Sequence, residues 1–160
     1  MSDTLEAKIR KLGTQYPDSR TAILPALRLA QERHGGWLPE EAFREVAEAL
    51  GTTPAFCLSI ASFYDMFHTE PVGRHLVEVC TNVSCALSGA QDVVEALERA
   101  LRIHVGETAA DGSVTLRTVE CLGGCGWATV VAVDNHHRLH VRADDVPELA
   151  RSLGAGEETA

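Results

Sequence analysis

Four of the five cysteines fall in two short segments, Cys80-Thr81-Asn82-Val83-Ser84-Cys85 and Cys121-Leu122-Gly123-Gly124-Cys125. The spacing is C-x4-C, a gap of 35 residues, then C-x3-C. A strand-like run precedes each: His75-Leu76-Val77-Glu78-Val79 before the first, Val114-Thr115-Leu116-Arg117-Thr118-Val119 before the second. Each pair of sulfurs is therefore expected in a loop just past a strand end. Two such loops side by side make a four-thiolate site.

Four thiolates suit iron–sulfur clusters or zinc, whereas hard cations prefer oxygen. Positions 80–90 and 121–133 carry no charge, and Gly123, Gly124 and Gly126 surround Cys125. Glycines let main-chain N–H groups approach sulfur, which suits a cluster that carries negative charge. A structural zinc more often uses a C-x2-C knuckle in each half, and neither segment has one. On spacing alone an iron–sulfur cluster leads, with zinc and unligated or disulfide-bonded cysteines as alternatives. An odd number of cysteines fits a reducing compartment better than a secreted disulfide framework.

The first seventy residues read as helices. Leu5, Ile9 and Leu12 share one face of a helix over 1–15 that Pro17 ends. Asp18 and Ser19 are placed to cap a second, running to His34 before Gly35-Gly36, with Pro25 early in it. Pro39 opens a third, with Ala42, Phe43, Val46, Ala47 and Leu50 inward and Gly51 as its cap. Thr53-Pro54 opens a fourth, through Phe56, Ile60, Phe63 and Phe67. Pro71-Val72-Gly73 then forms a linker.

From His75 the period becomes strand-like. A helix over about 89–103 follows the first cysteine pair, and the second strand leads to the second pair. Thr129–Val133 and Arg138–Val141 are expected to form a hairpin about Asp134–His137, and a helix over about 145–153 to close the domain. The fold class is α+β: a helical bundle over 1–70, then a thioredoxin-like mixed sheet flanked by helices over 71–153, with a frayed tail over 154–160.

Other candidates are weaker. Cys57 reads as a small buried residue of the fourth helix. His136, His137 and His140 read as residues in and beside the hairpin turn rather than a metal cluster. Trp127 reads as a lid over the thiolates or a core residue. The chain has no C-x-x-C for dithiol exchange, and no G-x-G-x-x-G or P-loop for a nucleotide. A net charge of −9 and no basic helix argue against nucleic acid, so the bundle is not read as a helix-turn-helix. The longest apolar run, Ala128–Val133, is too short for direct membrane insertion, and no secretory signal is visible at the N-terminus. The expectation is a cytoplasmic protein, peripheral on the cytosolic face of a membrane complex.

The stretches Ala61-Ser62-Phe63-Tyr64-Asp65-Met66-Phe67, Pro71-Val72-Gly73, Cys80–Cys85 and Val119-Glu120-Cys121-Leu122-Gly123-Gly124-Cys125 together resemble the thioredoxin-like [2Fe-2S] ferredoxins. More closely, they resemble the E-type (24-kilodalton) subunit family of NADH:quinone oxidoreductase, complex I. The resemblance runs from about Tyr16 to Leu149. It implies one [2Fe-2S] cluster, with Cys80 and Cys85 at one iron and Cys121 and Cys125 at the other, cycling one electron; all-thiolate ligation in an uncharged pocket favours a low potential. It further implies a partner flavoprotein of the F type that holds FMN and NADH, neighbouring Fe–S subunits, and an assembly role for the bundle. This chain would then hold no complete active site of its own. The equivalent subunit of a soluble NAD-dependent formate dehydrogenase or NAD-reducing hydrogenase is the alternative within redox chemistry. A zinc-stabilised interaction module is the alternative of another class. Two departures from the family stand out: Gly126-Trp127-Ala128-Thr129 where relatives often carry Ala-Pro after the fourth cysteine, and His136-His137 where they often carry aromatics.

Overall fold

The computed structural model describes residues 4–154. The expected tail beyond Gly154 and the first three residues of the expected opening helix lie outside them. The chain divides into two compact units, Met1–Pro71 and Val72–Ala160.

In the first unit α1 (Leu5–Gly13) begins where the Thr4 hydroxyl accepts the Ala7 N–H at 3.3 Å. Asp18 caps a 3-10 turn (Ser19–Ala22) rather than an α-helix, its carboxylate accepting the Arg20 N–H at 2.9 Å. Helix α2 (Ile23–Arg33) follows. Pro25 lies in its first turn, where the missing N–H has no helical partner to lose. Helix α3 (Glu40–Leu50) ends on Gly51 at φ 69°, the left-handed geometry that glycine adopts without a Cβ clash. Ile9, Leu27, Leu38, Phe43 and Val46 form the centre of a core drawn wholly from this unit.

The expected fourth helix is shorter than its apolar spacing suggests: α4 spans Pro54–Ala61 and stops six residues before Phe67. The Ser59 and Ser62 hydroxyls donate to the carbonyls of Phe56 and Ser59, at 2.8 and 3.2 Å, in competition with the helix. The Gln31 side chain then takes the chain away, donating to the Met66 carbonyl at 3.0 Å and accepting the His68 N–H at 2.8 Å.

The second unit holds β1 (His75–Cys80), α5 (Val83–Leu87), α6 (Ala90–Leu101), β2 (Val114–Val119), β3 (Val131–Val133), β4 (His136–Arg138) and α7 (Val146–Ser152). The sheet order is β2-β1-β3-β4. Strands β1 and β2 are parallel from His75↔Val114 to Cys80↔Val119, while β3 runs antiparallel to both β1 and β4. Val93, Val94, Leu97 and Leu101 of α6, with Val146 and Ala150 of α7, pack on Val77, Val79, Val114, Leu116, Val131 and Val133.

The hairpin is tighter than expected. Asp134 and Asn135, at φ 50° and 64°, make a two-residue turn, so His136 and His137 fall in the exposed edge strand. Beyond it the chain does not continue the hairpin. His140 and Val141 donate their N–H groups to the Trp127 and Thr129 carbonyls, both at 2.9 Å.

Gly73 fixes the entry to the sheet. Its N–H donates to the Thr115 hydroxyl at 2.7 Å, and a Cβ there would stand 2.8 Å from the Val114 carbonyl carbon and 2.9 Å from its nitrogen. Main chain cannot yield as a flexible side chain does. Gly73→Ala is expected to destabilise this unit by about 1–3 kcal/mol. The measurement is a lower urea midpoint at unchanged m-value, and a wild-type midpoint would contradict the close approach.

Candidate metal centre

The parallel register builds the site. Because Cys80 pairs with Val119, the segments leaving β1 and β2 emerge at the same end of the sheet, and each carries cysteines. The Thr81 N–H extends this pairing to the Val119 carbonyl at 3.0 Å. The antiparallel β3 starts at that same end, which returns the chain after Cys125 beside Cys80. The Cys80 N–H donates to the Val130 carbonyl at 3.1 Å. Three adjacent strands thus deliver the four cysteines expected from spacing to one sheet end.

The first pair is not held by an open loop. Cys80 closes β1, and Cys85 sits inside α5, which Asn82 starts by accepting the Val83 N–H on its side-chain oxygen at 2.8 Å. An Asn followed by a short uncharged run was the available sequence signal for that helix. Cys121 follows β2, and Cys125 opens a 3-10 turn, Cys125–Trp127. The pairs differ in environment: Cys80 and Cys85 are buried, Cys121 and Cys125 exposed. Leu122 and Ala128 pack against the buried pair together with Ala90 and Val130.

The chemistry of the donors fits a cluster held by thiolates. Burial pushes the Cys85 thiol above its ordinary range; the Val130 N–H directed at it acts the other way, and the Cys80 and Cys125 sulfurs push it up again. Cys85 therefore feels one sulfur from its own pair and one from the other. The Cys80 thiol donates to the Glu120 carbonyl at 3.8 Å, next to Cys121. The Gly123 N–H donates to the Cys121 sulfur at 3.3 Å, the kind of donor that sulfur-bound negative charge requires. Among the described residues no three Cys, His, Asp or Glu side chains converge as ligands of a single ion. A binuclear cluster asks for less, since it divides four thiolates into pairs on separate irons.

The remaining candidates do not join this set. Cys57 is fully buried in α4, in the other unit, and burial pushes its thiol up to about 11. His136 and His137 are exposed on β4, with His140 exposed beyond it. Trp127 is 54% exposed, so it is not a core residue. Spacing gave no hint of Thr129 and Val130, the residues that fasten the second segment to the first pair. Among the described residues no helix is long and apolar enough to cross a membrane.

Residues 9–154 match the model of the thioredoxin-like [2Fe-2S] ferredoxin family. The chain is 42% identical over 154 residues to the second E-type subunit of NADH-quinone oxidoreductase of Rhizobium meliloti, covering 96% of this chain and 91% of that one. It is 35% identical over 149 residues to the E-type subunit of NADH-quinone oxidoreductase of Pseudomonas aeruginosa, covering 93% and 89%. A chain of a NAD+-reducing [NiFe]-hydrogenase shares the fold, with a TM-score of 0.74 at 22% identity over 85% of this chain; this chain spans only 23% of that one's length. The chain belongs to the thioredoxin-like [2Fe-2S] ferredoxin family and, within it, to the E-type subunits of NADH-quinone oxidoreductase.

Proposed function

We propose that Cys80 and Cys85 hold one iron and Cys121 and Cys125 the other iron of a single [2Fe-2S] cluster. On this reading the chain is the electron-transfer subunit of an NADH:quinone oxidoreductase module. Its partner is a flavoprotein subunit that binds FMN and NADH, and one electron at a time passes between that flavin and this chain. The observation that carries the reading is the parallel Cys80↔Val119 register, which turns two distant cysteine pairs into one site.

A bound [2Fe-2S] cluster supplies one-electron storage without proton or group transfer. The protein supplies the rest. Buried Cys80 and Cys85 anchor one side away from water, while exposed Cys121 and Cys125 face the solvent side, where a partner has access. The Gly123 N–H offsets charge on the Cys121 sulfur. Neither cysteine segment contains a cation to offset more, which favours a low potential. NADH oxidation belongs to the partner, because this sequence has no dinucleotide fingerprint. The same reading makes the chain a peripheral subunit on the cytosolic face, beside other Fe–S subunits, with residues 1–70 serving assembly and 71–153 carrying the cluster. The high-identity relatives favour this assembly over a soluble formate dehydrogenase or hydrogenase.

The test is the purified chain reconstituted anaerobically with iron and sulfide. A brown protein with equal iron and acid-labile sulfide is expected, with a paramagnetic signal on one-electron reduction. A colourless chain that takes up one zinc and no sulfide would overturn the reading in favour of a structural module.

A further inference from the structure

Thr129 is polar and 1% exposed, four residues beyond Cys125. Its hydroxyl points to the other cysteine pair: it lies 3.3 Å from the Ser88 carbonyl and 3.5 Å from the Cys85 carbonyl, at the end of α5. The next residue continues the attachment. The Val130 carbonyl accepts the Cys80 N–H at 3.1 Å. The second segment also closes on Val130 from the other side, since a Cβ at Gly124 would stand 2.8 Å from Val130 Cγ2. Thr129-Val130 thus lies between the two cysteine pairs and is bonded to both members of the first.

We propose that the Thr129 hydroxyl is a positioning group for the cluster, clamping the Cys85 turn to the Cys125 segment and so fixing the separation of the two sulfur pairs. This rests on the four-cysteine reading above. Without the clamp, the Ser88 carbonyl loses the Thr129 hydroxyl as a donor, and one tie between the Cys85 turn and the Cys125 segment is lost.

The experiment uses the full-length, cluster-loaded chain and compares Thr129→Val, which removes the hydroxyl at similar volume, with Thr129→Ser, which keeps it. Cluster release to a ferrous chelator is expected to be about 5–30-fold faster in Thr129→Val. The reduced paramagnetic spectrum should also shift. Thr129→Ser should match wild type in both. Leu97→Ala, a cavity in the core of the same unit, controls for general destabilisation and should leave the spectrum unchanged. Wild-type release and spectrum in Thr129→Val would overturn the clamp. So would a spectrum shifted equally by Leu97→Ala. If Thr129→Val takes up no cluster, Thr129→Ser decides: normal loading supports the hydroxyl's role, and loss in both overturns it. Should the four-cysteine reading itself be wrong, either wild type will not load or one of the four Cys→Ser chains will load normally, and the clamp falls with it. A loaded wild type with an indistinguishable Thr129→Val removes the clamp alone.

Discussion

Replacing any one of Cys80, Cys85, Cys121 or Cys125 with serine is expected to strip or reshape the visible spectrum of the loaded protein, while Cys57→Ser leaves it as in wild type. The four sit at one sheet end, on β1, on α5, just after β2 and at the start of the 3-10 turn Cys125–Trp127. Serine offers a harder oxygen that must lose its proton to ligate, against a thiol that does so readily. The loss should be steeper for the buried pair. A serine oxygen at Cys80 or Cys85 would carry its charge away from water, whereas at Cys121 or Cys125 it stays hydrated. The first two variants should therefore lose most of their iron, and the last two should keep more of it with an altered spectrum. Cys57 stands outside this set, because it is fully buried in α4, on a stretch that carries no second cysteine. Iron and acid-labile sulfide per chain, with the absorption spectrum, make the measurement. Full content with a normal spectrum in any of the four, or loss in Cys57→Ser, would remove the assignment.

Most of what positions this site was legible because it lies in spacing and period. Strand runs just ahead of each cysteine pair placed both pairs at strand ends, and the element order fitted a mixed sheet flanked by helices. What the sequence could not show was settled by contacts between distant residues. The Ser59 and Ser62 hydroxyls compete with the helix at its end, and the Gln31 side chain on α2 holds the chain at Met66 and His68, although the apolar spacing runs on to Phe67. Asp134 and Asn135 both accept the left-handed region, which shortened the hairpin turn and moved His136 and His137 into β4. Burial of Cys80 and Cys85 against exposure of Cys121 and Cys125 depends on Ala90 and Val130, and nothing in C-x4-C or C-x3-C marks that difference. Thr129 was unreadable for the same reason: its acceptors are carbonyls more than forty positions earlier.

A chain shortened to begin at Val72 is expected to fold, take up the cluster and give the wild-type reduced paramagnetic signal, yet fail to co-purify with the flavoprotein subunit proposed as its partner. The cut falls between the two compact units and leaves Gly73 bound to Thr115. Every residue in the clusters around Val77 and around Cys80 comes from the part that is kept. At this size a core is marginal, and a cluster that ties β1 and α5 to the second cysteine segment adds a cross-link where the fold needs one. The discarded part has its own core but leaves Phe56, Leu58, Phe63, Tyr64 and Met66 exposed, along and just after α4. Asp65 is the only charged residue between Thr52 and Met66. Exposed aromatic and aliphatic side chains at this density mark a surface made to be covered. The comparison is co-expression of full-length and shortened chains with the flavoprotein subunit, followed by iron analysis and pull-down. Loss of the cluster from the shortened chain would mean that the helices complete the cluster unit's core. Full-affinity binding by the shortened chain would place the recognition surface on the ferredoxin fold, and the first seventy residues would then need another role.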